Sequence, residues 1–158
     1  ANWIIYRRTD VLLMKAEAMV TRENASNADL VEAFNIVKAI NTRSRVDTLN
    51  ITNPLKVENY MTRDASMDLV RKERLLELSY EGKRWYDLVR MALRDGKTDN
   101  MLSVLINNKY TSNQSEYKMK LSDMNTLFFP IAEREINVSN GHLKQNEAYL
   151  TSDKFETN

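Results

Sequence analysis

Apolar residues recur at helical spacing along most of the chain, interrupted at a few well-marked places. From about Arg7 to Val20, Leu12, Leu13, Ala16, Met19 and Val20 follow Ile5 near the helical period, with Asp10, Lys15 and Glu17 between them. A polar turn, Thr21-Arg22-Glu23-Asn24, comes next, and Ser26 and Asp29 then have the spacing of a capping box that starts a helix. Leu30, Ala33, Phe34, Val37 and Ile40 make one stripe running to about Asn41. The pattern predicts an antiparallel helical hairpin over about 7–41. Its small residues Ala16, Ala18 and Ala33 beside Phe34 read as one helix pair of tetratricopeptide type, without a second copy in the chain.

Between Ser44 and Arg63 the period is lost, and an ordered loop with one short strand at Leu49–Thr52 is expected. Helical signal returns from about Ala65 to Tyr80, breaks at Gly82, and resumes from Lys83 to Arg94, giving a central helix pair over about 65–94. Gly96 follows Arg90 and Arg94 as a C-terminal stop, because glycine tolerates the left-handed conformation and cations suit the carbonyl end. A shorter helix is expected over Met101–Asn107, then a mobile polar excursion over Asn108–Asn125. Leu127-Phe128-Phe129-Pro130-Ile131 reads as a short extended apolar anchor within a loop-rich closing region over about 108–149. The fold class is all-α, with packed central helices and long ordered loops.

The first central helix carries apolar residues on two sides, Met67, Val70, Leu75 and Leu78 against Leu69, Leu76 and Tyr80, which predicts packing on both. Glu73, Arg74 and Glu77 fall between those faces, and the next helix offers Arg84, Asp87 and Arg90. Buried carboxylates need partners. A structural charge network is therefore expected, in which Glu73 and Glu77 meet Arg84 or Arg90, and Asp87 meets Arg84, Arg90 or Arg74. Glu73 and Glu77 as an acid and base pair for glycoside hydrolysis is disfavoured, since neighbouring arginines would keep both ionised. No catalytic residue is assigned. A carboxylate metal site is also disfavoured, because neither Glu is followed by His at the spacing of a di-iron bundle.

Composition narrows the classes further. The 158 residues contain no Cys, which excludes a disulfide framework, a cysteine nucleophile and an iron–sulfur cluster within the chain. Lys plus Arg number 23 against 22 Asp plus Glu, so a net charge of +1 gives no field to gather nucleic acid. No apolar run approaches a membrane span. The start at Ala1-Asn2-Trp3-Ile4-Ile5 reads as the middle of a longer protein. His142, the single histidine, sits in a polar turn without a nucleophile pattern.

Several blocks carry a family resemblance. They are Arg8-Thr9-Asp10-Val11-Leu12-Leu13-Met14-Lys15-Ala16-Glu17-Ala18, then Ala39-Ile40-Asn41-Thr42-Arg43-Ser44-Arg45, then the run from Glu73 to Arg90 with its Glu73-Arg74, Glu77-Leu78, Glu81-Gly82, Arg84-Trp85 and Asp87-Leu88 positions. Phe129-Pro130-Ile131-Ala132 and Gln145-Asn146-Glu147-Ala148-Tyr149 close the series. In this order they resemble the C-terminal part of the SusD/RagB family over most of Arg7–Tyr149. That family often has Pro where Ala132 stands and Pro-Gly where Glu147-Ala148 stand, so a differently shaped final turn is expected.

The resemblance implies the C-terminal segment of a surface-exposed, lipid-anchored outer-membrane protein of Bacteroidetes, binding glycans or other large nutrients. It also implies a SusC-type TonB-dependent transporter as partner, with no cofactor and no enzymatic activity; the lipid anchor and most ligand contacts would lie in the missing part. Sugar sites use aromatic faces and planar polar side chains. Tyr110 and Tyr117, among Asn107, Asn108, Asn113 and Gln114, are the candidate polysaccharide contacts here, whereas Trp85, Phe34, Phe128 and Phe129 are expected in the core. The alternative is a tetratricopeptide-like scaffold that holds a peptide or protein in its groove.

Overall fold

The computed structural model describes residues 5–46, 53–109 and 113–150. Seven α-helices and three 3₁₀ turns make up the secondary structure among these residues, and no strand is present among them. The chain divides into two compact units between Arg84 and Trp85.

The first unit is built from α1 (Arg8–Thr21), α2 (Asn27–Ser44) and α3 (Arg63–Glu77), with a 3₁₀ turn at Val57–Tyr60 before α3. Leu13, Ala16 and Val20 of α1 meet Leu30, Ala33, Phe34, Val37 and Ile40 of α2 and Met67, Leu69 and Val70 of α3 in one buried cluster. Each set recurs at three and four residues, so each helix turns one stripe inward. The Tyr60 ring stacks on Phe34 with centroids 5.9 Å apart, which ties the 3₁₀ turn to the same core.

Local chemistry fixes where these helices begin. The Ser26 hydroxyl accepts from the Asp29 N–H at 3.3 Å, and the Asp29 carboxylate accepts from the Ser26 N–H at 2.7 Å, completing the expected capping box. Thr62 caps α3 in the simpler way, accepting from the Ala65 N–H. Arg63, the first residue of α3, donates to the carbonyls of Val20 and Thr21 at 3.2 and 2.9 Å. Those carbonyls belong to the last turn of α1, where no intrahelical donor remains and a cation is favoured. The hairpin thus extends through Ser44, and a third helix completes it.

The second unit contains α4 (Arg84–Asp95), α5 (Asp99–Lys109), α6 (Gln114–Leu121) and α7 (Glu133–Val138), with 3₁₀ turns at Met124–Leu127 and Glu147–Tyr149. Its buried cluster joins Leu88, Val89, Met91 and Ala92 of α4 to Met101 and Leu127, with Trp85, Val104, Leu105 and Met124 packed against it. Gly96 adopts φ +65° and the Lys97 N–H reaches the Ala92 carbonyl at 3.2 Å, so α4 ends in the glycine stop that the sequence predicts. In the closing region the Gln145 side chain pairs with both backbone groups of Ile131, at 2.9 and 2.8 Å. Asn146 adds bonds from its amide to the carbonyls of Asn125 and Phe128. Side-chain amides here do for an extended segment what a neighbouring strand does in a sheet.

Three expectations need correction. α3 stops at Glu77, Tyr80 lies in a turn with positive φ and is fully exposed, and Leu76 is 57% exposed, so of the expected second face only Leu69 is buried, while Leu75 of the first face is 42% exposed. The polar excursion contains the eight-residue helix α6. Phe128 and Phe129 are exposed, Phe129 by 75%, because Leu127 alone of that anchor turns into the core. The boundary between the two units falls within the expected central helix pair, so α3 is described with α1 and α2, on which it packs, and α4 with the second unit. The strand expected at Leu49–Thr52 lies outside the described residues.

The capping box generates a direct test. Ser26→Ala in the full-length protein should cost about 1 kcal/mol of stability in urea denaturation. An unchanged midpoint would show that the Asp29 side chain alone suffices to start α2.

Candidate functional site

Glu77, at the end of α3, is the centre of the charge network. Its Oε1 receives Arg7 Nη1 and Arg43 Nη2, each at 2.5 Å, and its Oε2 accepts from the Ser44 hydroxyl at 3.0 Å. Arg7 precedes α1 and also donates from Nε to Glu81 at 2.8 Å. Arg43 and Ser44 end α2. The partners of Glu77 therefore come from the ends of the other two helices of its own unit, where the sequence reading placed Arg84 or Arg90.

A second ionic layer lies nearby and is deeper. Arg74 Nη1 meets Asp10 Oδ1 at 3.1 Å, with Asp10 1% and Arg74 4% exposed, and Lys83 pairs with the other Asp10 oxygen. Glu17 approaches Arg74 Nε at 3.8 Å. Asp87, on α4, accepts from Arg90 one turn later at 2.8 Å, and Arg84 is the first residue of that helix. Of the expected set, Glu73, Arg74 and Glu77 lie together in the first unit; sequence reasoning missed Arg7, Asp10, Arg43 and Lys83, which stand in or next to the family-like blocks.

The two carboxylates of α3 one turn apart are driven in opposite directions. Desolvation would raise the Glu77 carboxyl, but the hydrogen bonds from Arg7, Arg43 and Ser44 outweigh it and hold it at about 2. Burial dominates at Glu73 and pushes its carboxyl above the ordinary value, against the one hydrogen bond from Asn41 Nδ2 to Oε2 at 3.0 Å. Both Glu77 oxygens are occupied by protein donors, so it has no capacity to serve as a base. Glu73 instead lines an open cleft.

That cleft has a volume of about 650 Å³ and lies wholly within the first unit. Asn41 and Arg45 come from α2, Asn53, Pro54, Leu55, Lys56, Asn59 and Tyr60 from the connection to α3, and Leu69, Lys72, Glu73 and Leu76 from α3. Its size is in the range of small-molecule sites, and its lining mixes amides, charges and one fixed aromatic ring. The sequence signal for it was faint, since Asn41 and Glu73 sit in blocks that read as structural and the connection lacks any periodicity. Of the candidate tyrosines, Tyr117 stands partly exposed on α6, and Tyr110 lies outside the described residues. Among the described residues no cluster of three His, Cys, Asp or Glu side chains is arranged for a metal, and no helix is long and apolar enough to cross a membrane.

The split between the carboxylates predicts how stability responds to acid. With the Glu77 carboxyl at about 2 in the fold against 4.5 ordinarily, its contribution is complete above about pH 5 and is lost progressively toward about pH 2. The contribution of Glu73 has the opposite sign, since a raised value favours the protonated fold. Glu77→Gln should cost about 2 kcal/mol at pH 7, discounted because Arg43 is half exposed, and should flatten the acid limb of a urea-denaturation series. Glu73→Gln should leave stability at pH 7 equal or higher, and parallel acid limbs for all three proteins would refute this assignment.

Comparison with known proteins agrees with the residue blocks. The SusD family matches residues 1–149. SusD-like protein P2 of Formosa agariphila is 34% identical over 92 residues, which is 58% of this chain and 17% of that protein. SusD-like protein P38 of the same organism is 36% identical over 89 residues, 56% of this chain and 17% of that protein. The matched stretch is thus a small part of each relative, and this chain spans well under two thirds of either. No solved structure matches it. With the family match running through both units, from the helices that clasp Glu77 to the Gln145-Asn146 clamp, the chain belongs to the SusD family.

Proposed function

We propose that this chain is the C-terminal segment of a protein that captures glycans or other large nutrients at the surface of a bacterial outer membrane. In this reading the complete protein is held to the membrane by a lipid on its N-terminal part, and passes its cargo to a SusC-type TonB-dependent transporter. It binds without turning its ligand over. The observation that carries the reading is the family match over residues 1–149, with two SusD-like relatives of Formosa agariphila beside it.

The physical character of the segment supports this. Its charges are nearly balanced overall, and its buried charges are consumed in holding helices together. Its polar cleft and its exposed tyrosines offer the amides and ring faces on which sugar hydroxyls and sugar rings are held.

Affinity electrophoresis of the full-length protein through gels containing soluble polysaccharides tests the capture step. Retardation by at least one glycan is expected, together with co-purification of an outer-membrane barrel. Migration unaffected by every glycan, with no barrel recovered, would overturn the reading.

A further inference from the structure

The cleft between α2, the connection at 53–60 and α3 holds a polar group that the described residues leave open. Glu73 is only 3% exposed, and Asn41 is the donor to its Oε2. No donor from the described residues reaches Oε1, yet Oε1 is not among the atoms sealed from solvent without a partner. A carboxylate that is nearly buried therefore keeps one oxygen accessible, and Glu73 lines the cleft. The contrast with Glu77, whose oxygens are both occupied by the ends of α1 and α2, shows that the same helix can close such a group when the site is purely structural.

The other lining charges have the opposite sign. Lys56 and Lys72 are both exposed and line the cleft, and Lys72 lies close enough to attract the Glu73 carboxylate. Arg45 donates to the Asn53 carbonyl at 3.1 Å, bracing the connection that carries Lys56 and Asn59. Among the described residues that line the cleft, the two exposed lysines stand against the single carboxylate of Glu73, a local excess of positive charge in a chain that carries +1 overall. The Tyr60 ring is set in place by its stacking on Phe34.

We propose that this cleft is a saccharide subsite for an anionic sugar, which sets hydroxyls against Glu73 and the asparagine amides and places a carboxylate or sulfate on Lys56 and Lys72. The proposal rests on the glycan-binding reading above and adds to it a place and a ligand class. Hydroxyls supply the donors that Glu73 lacks, and planar amides match neighbouring hydroxyls on a ring. The flexible ammonium groups of lysine accept either anionic substituent as point charges, so the shared chemistry is the negative charge on a polyhydroxylated ring.

The test uses the full-length protein with oligogalacturonate, a sulfated oligosaccharide and a neutral oligosaccharide of equal length, followed by calorimetry and by hydrogen exchange. At least one anionic ligand should bind more tightly than the neutral one, weaken with added salt, and slow exchange in peptides covering residues 53–76. Lys56→Gln with Lys72→Gln, both surface changes, should weaken that ligand about tenfold through the loss of two exposed ion pairs, and weaken the neutral sugar by much less. Anionic-sugar binding with protection only outside residues 53–76, or with affinity indifferent to the double variant, would overturn the subsite and leave glycan capture standing. Neutral sugars binding while neither anionic one does would also overturn it. Absence of binding in all three arms and in every polysaccharide gel would overturn both readings.

Discussion

Everything in the first unit depends on satisfying the charges of α3 inside a three-helix contact. Arg74 is as buried as the leucines around it, and a lone guanidinium there would cost several kcal/mol. Asp10 of α1 neutralises it at 3.1 Å, and Lys83 takes the other Asp10 oxygen. One turn along α3, Glu77 draws in Arg7 from before α1 and Arg43 from the end of α2. Apolar stripes let helices slide past one another by a turn at modest cost. Ion pairs with fixed hydrogen-bond geometry do not, so these two layers set the register in which Leu13, Val37 and Val70 meet.

The same requirement explains why the cleft opens where it does. Glu73 lies one turn before Glu77 on α3, on the side where α2 presents Asn41 in place of an arginine. An asparagine amide gives one hydrogen bond and no charge, so burial wins over attraction and the carboxyl rises. The connection over 53–60 is tied to α3 at its end, where the Ser66 hydroxyl donates to the Tyr60 carbonyl at 2.5 Å. Tyr60 anchors it to Phe34, and Arg45 holds it at Asn53, which leaves polar side chains facing a cavity of about 650 Å³.

How much of this was legible depended on the range of the interaction. Ser26 with Asp29, and Gly96 after a basic last turn, act within a few residues, so spacing alone exposed them. The pairing of Glu77 with Arg7 and Arg43 spans 70 and 34 positions along the chain. Sequence reasoning placed the nearest cations, Arg84 and Arg90, there instead, because it has no measure of which helices pack together. The second apolar face of α3 fails beyond Leu69 for a related reason: Leu76 has the right spacing, but the helix ends at Glu77 and Tyr80 lies in an exposed turn. Phe128 and Phe129 show the limit of hydrophobicity as a guide, since backbone clamps at Ile131 and Phe128 position that segment with Leu127 inward and both rings outward.

The residues that mark the family are therefore mainly clamps. Arg74 and Glu77 hold helices, Gln145 and Asn146 hold an extended backbone, and Asn146 also accepts from the Ala148 N–H to shape the last 3₁₀ turn. Ala132 keeps φ −57°, a value that proline also adopts without strain. A motif made of clamps identifies a scaffold with great specificity and says little about cargo, because the groups that would touch cargo must be left unclamped. Asn41 and Glu73 are the exception within the motif blocks. They clamp each other by a single hydrogen bond and leave a carboxylate oxygen over, and that leftover acceptor is what turns a piece of scaffold into a surface with chemistry of its own.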